Sequence, residues 1–436
     1  MSTEERTINE PLIERLAGHL KVSGYSLSAT VKRMAAARGF LLYLAKERVD
    51  VANATGAHEP AFLAFKLNLY RKRHGHAPCD LSSWRWGYTS GVHIVMRLAQ
   101  GKWPPATVPA NPQETFRQDL CNAYAQWLSD VRGLAATTIP NRKAEAQRFL
   151  ESLGERGGDE LLLPQITVAD LDLYLTQRAP QLRRTTRQRL ALCLRGFLRY
   201  LQIQGLIQQD LSGSVVSPRR YAFEGIPPAL RAEHVNAVLQ SAKKDHTPKG
   251  LRDQAILLLL ATYGLRSGEV TALRLDDIDW RKDRLRVRHS KTGCESFLPL
   301  LAPVGEAILA YLRNGRPQTK AREVFLRVRA PFQGLHAGGS IYHIVAHQLR
   351  KAGVILKRKH GPHAFRHARA VGLLNAGVAM KTIGDVLGHR SLDSTSIYLR
   401  LCGAPHNLRY EYTSVSIETP RGSRGNNCLG LCGRRG

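Results

Sequence analysis

Acidic residues are scarce in this chain. Against 64 lysines and arginines stand 35 aspartates and glutamates, which leaves 436 residues with a net charge of +29 and a pI near 10.3. Such a balance selects a polyanionic partner, whether DNA, RNA or an anionic membrane. Long apolar runs are also missing. No stretch approaches the roughly 18 residues of a spanning helix, and Ala255 to Thr262 reads as a short buried helix, so membrane is disfavoured. Behind Met1-Ser2-Thr3-Glu4-Glu5-Arg6 there is no apolar core, so no secretory signal is expected and cytoplasmic, nucleoid-associated residence is. Cysteines number seven, odd and scattered, which excludes a disulfide framework. His74, His76 and Cys79 lie close together without a fourth ligand at zinc spacing, and Cys428 and Cys432 sit in a Gly/Arg tail. No metal site is expected from either group.

What is present is helical periodicity broken by proline-bearing linkers. Residues 10 to 50 read as two helices, the second with Val31, Ala35, Phe40, Leu41 and Leu44 on one face, and Pro60 to Arg71 as a third. Trp84, Trp86 and Tyr88 lead into Val92 to Leu98, and Trp103-Pro104-Pro105 through Pro112 reads as a first linker. Four helical segments follow: Gln118 to Val131, Thr138 to Leu153, Val168 to Arg178 and Arg184 to Gln204. A basic linker from Ser217-Pro218-Arg219-Arg220 through Pro227-Pro228 opens the last unit. That unit is helical except for three short strands: Ile278 to Trp280, Arg284 to Arg288 and Ser296 to Leu300, with Lys291-Thr292-Gly293 in the turn between the last two. The expected fold is mainly α with a small antiparallel sheet. The expected organisation is 1–108, an N-terminal helical domain; 113–212, a second helical domain; 228–414, a third domain that holds the small sheet; and 415–436, a disordered tail.

The first two units echo each other. Gly24 and Gly133, Arg33 and Arg142, Ala35 and Ala144, Ala37 and Ala146, Phe40 and Phe149, Leu41 and Leu150, and Leu44 and Leu153 all stand 109 positions apart. Amphipathic helices repeat such residues anyway; the expectation drawn from the echo is that residues 1–108 form a second helical, DNA-contacting domain.

In chain order the C-terminal half carries Arg266 between Gly264 and Gly268, then Lys291, His363-Ala364-Phe365-Arg366, Leu387-Gly388-His389 and Tyr398. Two guanidiniums and imidazoles can stabilise the charge that a phosphoryl-transfer transition state spreads over its non-bridging oxygens. A phenol can act as covalent nucleophile, and a lysine and a histidine can move the protons. Glu269, three positions after Arg266, lies close to it if the segment is helical and would fix its geometry. Each residue alone has a plainer explanation: a helix-end arginine, a hairpin lysine, a core tyrosine. On composition, Tyr410 and Tyr412 are equal to Tyr398.

These elements, in this order, resemble the tyrosine recombinase (phage integrase) family. The resemblance covers roughly residues 113 to 410. It implies a helical core-binding (SAM-like) domain at 113–212 that grips one side of a DNA duplex, followed by the tyrosine recombinase catalytic domain. Arg183, Arg184, Arg187 and Arg189, at a helix start, suit that grip, or else form a solvated face. The resemblance implies that Arg266 and Arg366 clamp the scissile phosphate and that His363 bonds to it and accepts the phenol's proton. It also places His389 beside the phosphate, makes Lys291 the acid for the departing 5′ oxygen, and makes Tyr398 the nucleophile. No cofactor, ATP or metal is implied. The implied partners are double-stranded DNA recombination sites held by a homo- or hetero-tetramer. Leu399, Leu401 and Leu408 would supply packing to a neighbour. The extra N-terminal hundred residues fit a mobile-element integrase or transposon recombinase. The rivals are a Xer-like resolvase, a type IB topoisomerase and a non-catalytic accessory DNA-binding protein.

Overall fold

The computed structural model describes residues 9–105, 109–219, 230–289, 293–336, 339–355, 361–388 and 395. Helices dominate and the sheet is small, as the sequence implies. The first unit consists of α1 (Glu10–Val22), α2 (Leu27–Lys46), α3 (His58–His74) and α4 (Leu81–Gln100). Short polar side chains start two of them: Ser26 accepts the Ala29 N–H and Asp80 accepts those of Ser82 and Ser83. Leu16, Leu20, Phe40, Phe62, Val92 and Val95 form its core.

Trp103 belongs to that core and not to a linker. Its ring is 3% exposed, meets Phe40 edge to face at 6.2 Å, and its indole N–H donates to Glu59 at 3.2 Å. A large ring that buries its surface while its one polar atom finds a carboxylate gains too much to stay in a connecting segment. The neighbouring prolines misrepresent it as one.

The second unit repeats the plan with α5 (Pro112–Asp130), α6 (Ile139–Ser152), α7 (Val168–Arg178) and α8 (Arg184–Ile203). Asn111 followed by Pro112 starts α5, and Thr167 with Asp170 forms a capping box on α7. Along α8, Leu190, Leu194, Phe197, Leu198 and Leu201 recur at helical spacing and are buried, meeting Tyr124, Phe149 and Leu171. Each such side chain contributes roughly 1.5–3 kcal/mol of burial.

The third unit opens with α9 (Ala232–Lys243), α10 (Pro248–Tyr263) and the short α11 (Ser267–Thr271). A meander follows, β1 (Ile278–Asp279), β2 (Arg284–His289) and β3 (Cys294–Pro299), antiparallel in the order β1-β2-β3. Leu285 pairs with Leu298, Val287 with Ser296 and His289 with Cys294. Leu285, Val287 and His289 face inward at period two, while Arg286 and Arg288 on the other face reach the buried Asp277 at 2.9 and 2.7 Å. After the sheet come α12 (Ala302–Asn314), α13 (Ser340–Lys351), α14 (Pro362–Asn375) and α15 (Met380–Leu387). Ile256, Leu260, Ile308, Tyr311, Phe325 and Phe365 anchor this core.

The expected disordered tail at 415–436 lies outside the described residues, as do Lys291, His389, Tyr398, Leu399, Leu401, Leu408, Tyr410, Tyr412 and Pro227-Pro228. Among the described residues, no helix is long and apolar enough to cross a membrane.

Candidate active site

Two helix ends and one helix start meet around a pair of arginines. α10 stops at Gly264, whose φ of 66° is the left-handed conformation that a glycine adopts without cost, and the chain turns at once into Arg266, which precedes α11. α15 stops in the same way at Gly388, φ 61°. Arg366, one turn into α14 behind Pro362, points between these two ends. Its guanidinium donates to the Gly264 carbonyl at 2.9 Å and to the Leu387 carbonyl. Arg266 donates to the next carbonyl, that of Gly388, at 3.1 Å. Both cations therefore rest on the electronegative C-terminal end of α15.

Two guanidiniums this close repel, and a carboxylate offsets the repulsion. Glu269 is buried, and its Oε1 accepts from Arg266 Nη1 at 2.7 Å while its Oε2 accepts the Arg266 backbone N–H at 2.8 Å. Burial pushes the Glu269 carboxyl up, but hydrogen bonds from His289 and Arg266 outweigh it and hold the group below the ordinary glutamate value. It is thus a fixed anion at neutral pH. Arg366 is 3% exposed, whereas the Arg266 side chain is 18% exposed, so only the latter presents some of its surface to solvent. Fixed donors of this kind need no reorganisation when negative charge develops against them.

His289 is the residue that sequence reasoning missed. Its Nδ1 lies 2.7 Å from Glu269 Oε1 and its Nε2 lies 2.9 Å from Ser296 Oγ, which ties the β2–β3 hairpin to the Arg266 loop. The ring also covers Gly388 so closely that a Cβ there would sit 2.5 Å from it. A signal existed: His289 continues the inward phase of Leu285 and Val287, and a polar side chain in an apolar phase is buried for a partner.

His363 is exposed at the start of α14, and its ring stacks with that of His367 at 6.3 Å. The two residues of the His-x-x-Arg motif therefore differ in environment, with Arg366 inside and His363 at the surface. Burial, then the charges of His363 and Arg366, push His367 down to about 4, so it is neutral at pH 7. Two buried tyrosines of this unit, Tyr263 next to Gly264 and Tyr311 on α12, are poor nucleophiles. Burial raises both the Tyr263 and the Tyr311 phenols; the first donates to Pro299 O at 2.7 Å, and the second accepts the Leu326 N–H at 3.2 Å.

Arg183, Arg184, Arg187 and Arg189 lie apart from this knot, at the head of α8. Arg183, Arg184 and Arg189 are exposed, but Arg187 is half-buried and donates to Leu182 O at 2.9 Å, so it helps build the helix start. Lys291, His389 and Tyr398 are outside the described residues. By chain order Lys291 follows His289 by two positions and His389 follows Gly388 directly. Among the described residues, no three His, Cys, Asp or Glu side chains gather as a metal-ligand set.

Residues 228–402 match the model of the phage integrase family. An integrase/recombinase of Sinorhizobium fredii (strain NBRC 101917 / NGR234) is 33% identical over 379 residues, 87% of this chain and 88% of the relative. A second integrase/recombinase of the same strain is 57% identical over 195 residues, 45% of this chain and 97% of that protein. Among solved structures, a lambda integrase tetramer bound to a Holliday junction is similar in fold, with a TM-score of 0.52 at 17% identity over 74% of this chain and 89% of the other. With the arginine pair set on two helix ends and a match that runs through most of both chains, the protein belongs to the phage integrase family of tyrosine recombinases.

Proposed function

We propose that the chain is a site-specific DNA recombinase that cuts and rejoins strands through a 3′-phosphotyrosyl bond. The observation that carries this reading is the knot of Arg266, Glu269 and Arg366 on the carbonyls of Gly264, Leu387 and Gly388. It fixes two permanent cations at one spot. Arg266 and Arg366 stabilise the non-bridging oxygens of the scissile phosphate, and His389, next in the chain after Gly388, adds an imidazole there.

Tyr398 attacks the phosphorus. A bond forms from its phenolic oxygen to phosphorus and the bond to the 5′ oxygen breaks. His363 accepts the phenol's proton and Lys291 gives one to the departing oxygen. The 5′-hydroxyl of a partner strand then reverses the step, so no ATP is consumed. Thr395, buried beside Gly384 of α15, supports the choice of tyrosine. Tyr398 lies three residues further on, and a chain of that length spans at most about 11 Å. Tyr263 and Tyr311 are committed elsewhere.

Exchange on two DNA sites requires four active protomers, and the similarity in fold to a tetrameric integrase on a Holliday junction supports that assembly. A mobile-element role is favoured over a resolvase. The 379-residue match to an integrase/recombinase is too long to fit after residue 108, so that relative shares at least part of the first unit. The setting is the bacterial nucleoid. A supercoiled plasmid carrying two copies of the DNA that flanks the gene tests the reading. Excision or inversion is expected, and its loss in Tyr398→Phe. Relaxation without rearrangement would mean a topoisomerase, and binding with neither would mean an accessory protein.

A further inference from the structure

The first unit carries a basic, aromatic corner that the recombination chemistry does not use. Between residues 60 and 100 the only carboxylate is Asp80, and its oxygens are taken by Ser82 and Ser83. Around it, α3 ends in Arg71, Lys72, Arg73 and His74, and Arg85 follows on the first turns of α4, all exposed. Among the described residues, the ion pairs of this unit, Arg38 with Glu10 and His93 with Glu59, involve none of these cations. Cations in a last helical turn complement the helix dipole, which explains one or two of them. It does not explain Arg85 or the aromatics. Trp86 is 67% exposed, and Tyr70 packs on His74 at 4.3 Å with Trp84 at 6.2 Å.

The corner also has a counterpart. The echo between the two units is structural: Phe40 and Phe149, Phe62 and Leu171, and Val92 and Leu201 share one spacing and are all buried, and Gly24 and Gly133 both have positive φ, 77° and 58°. The helices follow the same order, so the α3–α4 corner corresponds to the α7–α8 corner. That second corner opens with Arg183 and Arg184, exposed in the same way.

We infer that the first unit is a second copy of the helical clamp, and that its α3–α4 corner holds duplex DNA. The duplex is the stretch beyond that gripped by the second and third units. Arg71, Lys72, Arg73 and Arg85 take phosphates, and Trp86 packs against the sugar edge. Matched basic corners on matched folds favour a duplex over single-stranded DNA, which exposed aromatics alone would equally suit. The inference rests on the recombinase reading only for the identity of the DNA.

The test uses the full chain, the DNA flanking its gene, and the variant Arg71→Ala/Lys72→Ala/Arg73→Ala. Each lost phosphate contact removes roughly 0.9 from the slope of log K against log salt, so the triple variant is expected to be shallower by ~2–3. Its nuclease footprint shortens at the outer edge, while covalent trapping on a substrate trimmed to the core is unchanged. Lysines in place of Arg71 and Arg73 restore slope and footprint, which excludes a folding defect. An unaltered slope and footprint overturn the inference, and so does competition by single-stranded DNA alone. A wild-type protein that binds with the full footprint yet never traps DNA would overturn the recombinase reading and leave this one standing.

Discussion

Glu269→Gln removes one charge and almost no volume, yet it strikes the centre of the arginine knot. The carboxylate accepts three donors: Arg266 Nη1 and His289 Nδ1 on Oε1, and the Arg266 backbone N–H on Oε2. A glutamine has one acceptor oxygen and one NH2. Set either way, its NH2 faces an Arg266 N–H, donor against donor. Breaking a buried ion pair by removing one partner costs about 3–5 kcal/mol. Because the Arg266 side chain retains 18% exposure, water relieves part of this, and the lower end, about 3 kcal/mol, applies. For a unit of this size that is a fall in Tm of about 6–12 °C. The guanidinium also loses its anchor, and a displacement on the order of 1 Å costs ~10²-fold in rate. Affinity for DNA, which rests on many phosphate contacts, is expected to change little. Calorimetry and covalent trapping on a nicked suicide substrate measure the two effects. A variant that melts within ~2 °C of wild type and traps DNA at the wild-type rate would refute the argument that Glu269 holds Arg266.

Gly388→Ala places a methyl group 2.5 Å from the His289 ring at a φ of 61°. Left-handed strain of roughly 1–2 kcal/mol and overpacking of about 1–3 kcal/mol add, so a drop in urea midpoint together with slower trapping is expected; a wild-type midpoint would contradict the close packing. His367 is held neutral, with its pKa pushed down to about 4 when folded against an ordinary 6.5. The unfolded chain binds the extra proton between those values, so stability is lost as pH falls from about 6.5 towards 4, and His367→Gln should flatten the melting curves in that window. Lys291→Ala should slow cleavage roughly 10²–10⁴-fold with little loss of binding. A substrate with sulfur as the 5′-bridging atom should restore cleavage to this variant but not to Arg266→Ala or Arg366→Ala; rescue of all three alike, or no rescue of Lys291→Ala, would mean that this division of labour between lysine and arginines is wrong.

Periodicity and punctuation made most of the fold legible. The β2–β3 hairpin followed from alternating apolar residues around Lys291-Thr292-Gly293, and the helix from 168 to 178 from its spacing between polar starts. Trp103 was obscured because local sequence marks Pro-Pro as a linker, while burial of an indole is decided by Phe40 and Glu59, far away in the chain. Glu269 was legible because its partner is three residues away on one helical turn. His289 was not, because its partners Glu269 and Ser296 come together only when the hairpin folds onto α11. The environments of His363 and Arg366 were also hidden: a common helix suggests a common face, but packing against Gly264 and Leu387 buries only the arginine. Roles for Lys291, His389 and Tyr398 were readable only from family resemblance, since each residue type at each place has an ordinary structural explanation.

The identity of the nucleophile is the central claim, and its location can be read directly. The full chain is incubated with a nicked suicide substrate cut from the DNA beside its gene, the adduct is digested with protease and nuclease, and the peptide that retains a nucleotide is sequenced by mass spectrometry. The account predicts the peptide containing Tyr398, with the nucleotide joined through its 3′-phosphate and no adduct in Tyr398→Phe. A nucleotide on Tyr410 or Tyr412, or one joined through a 5′-phosphate, would contradict it.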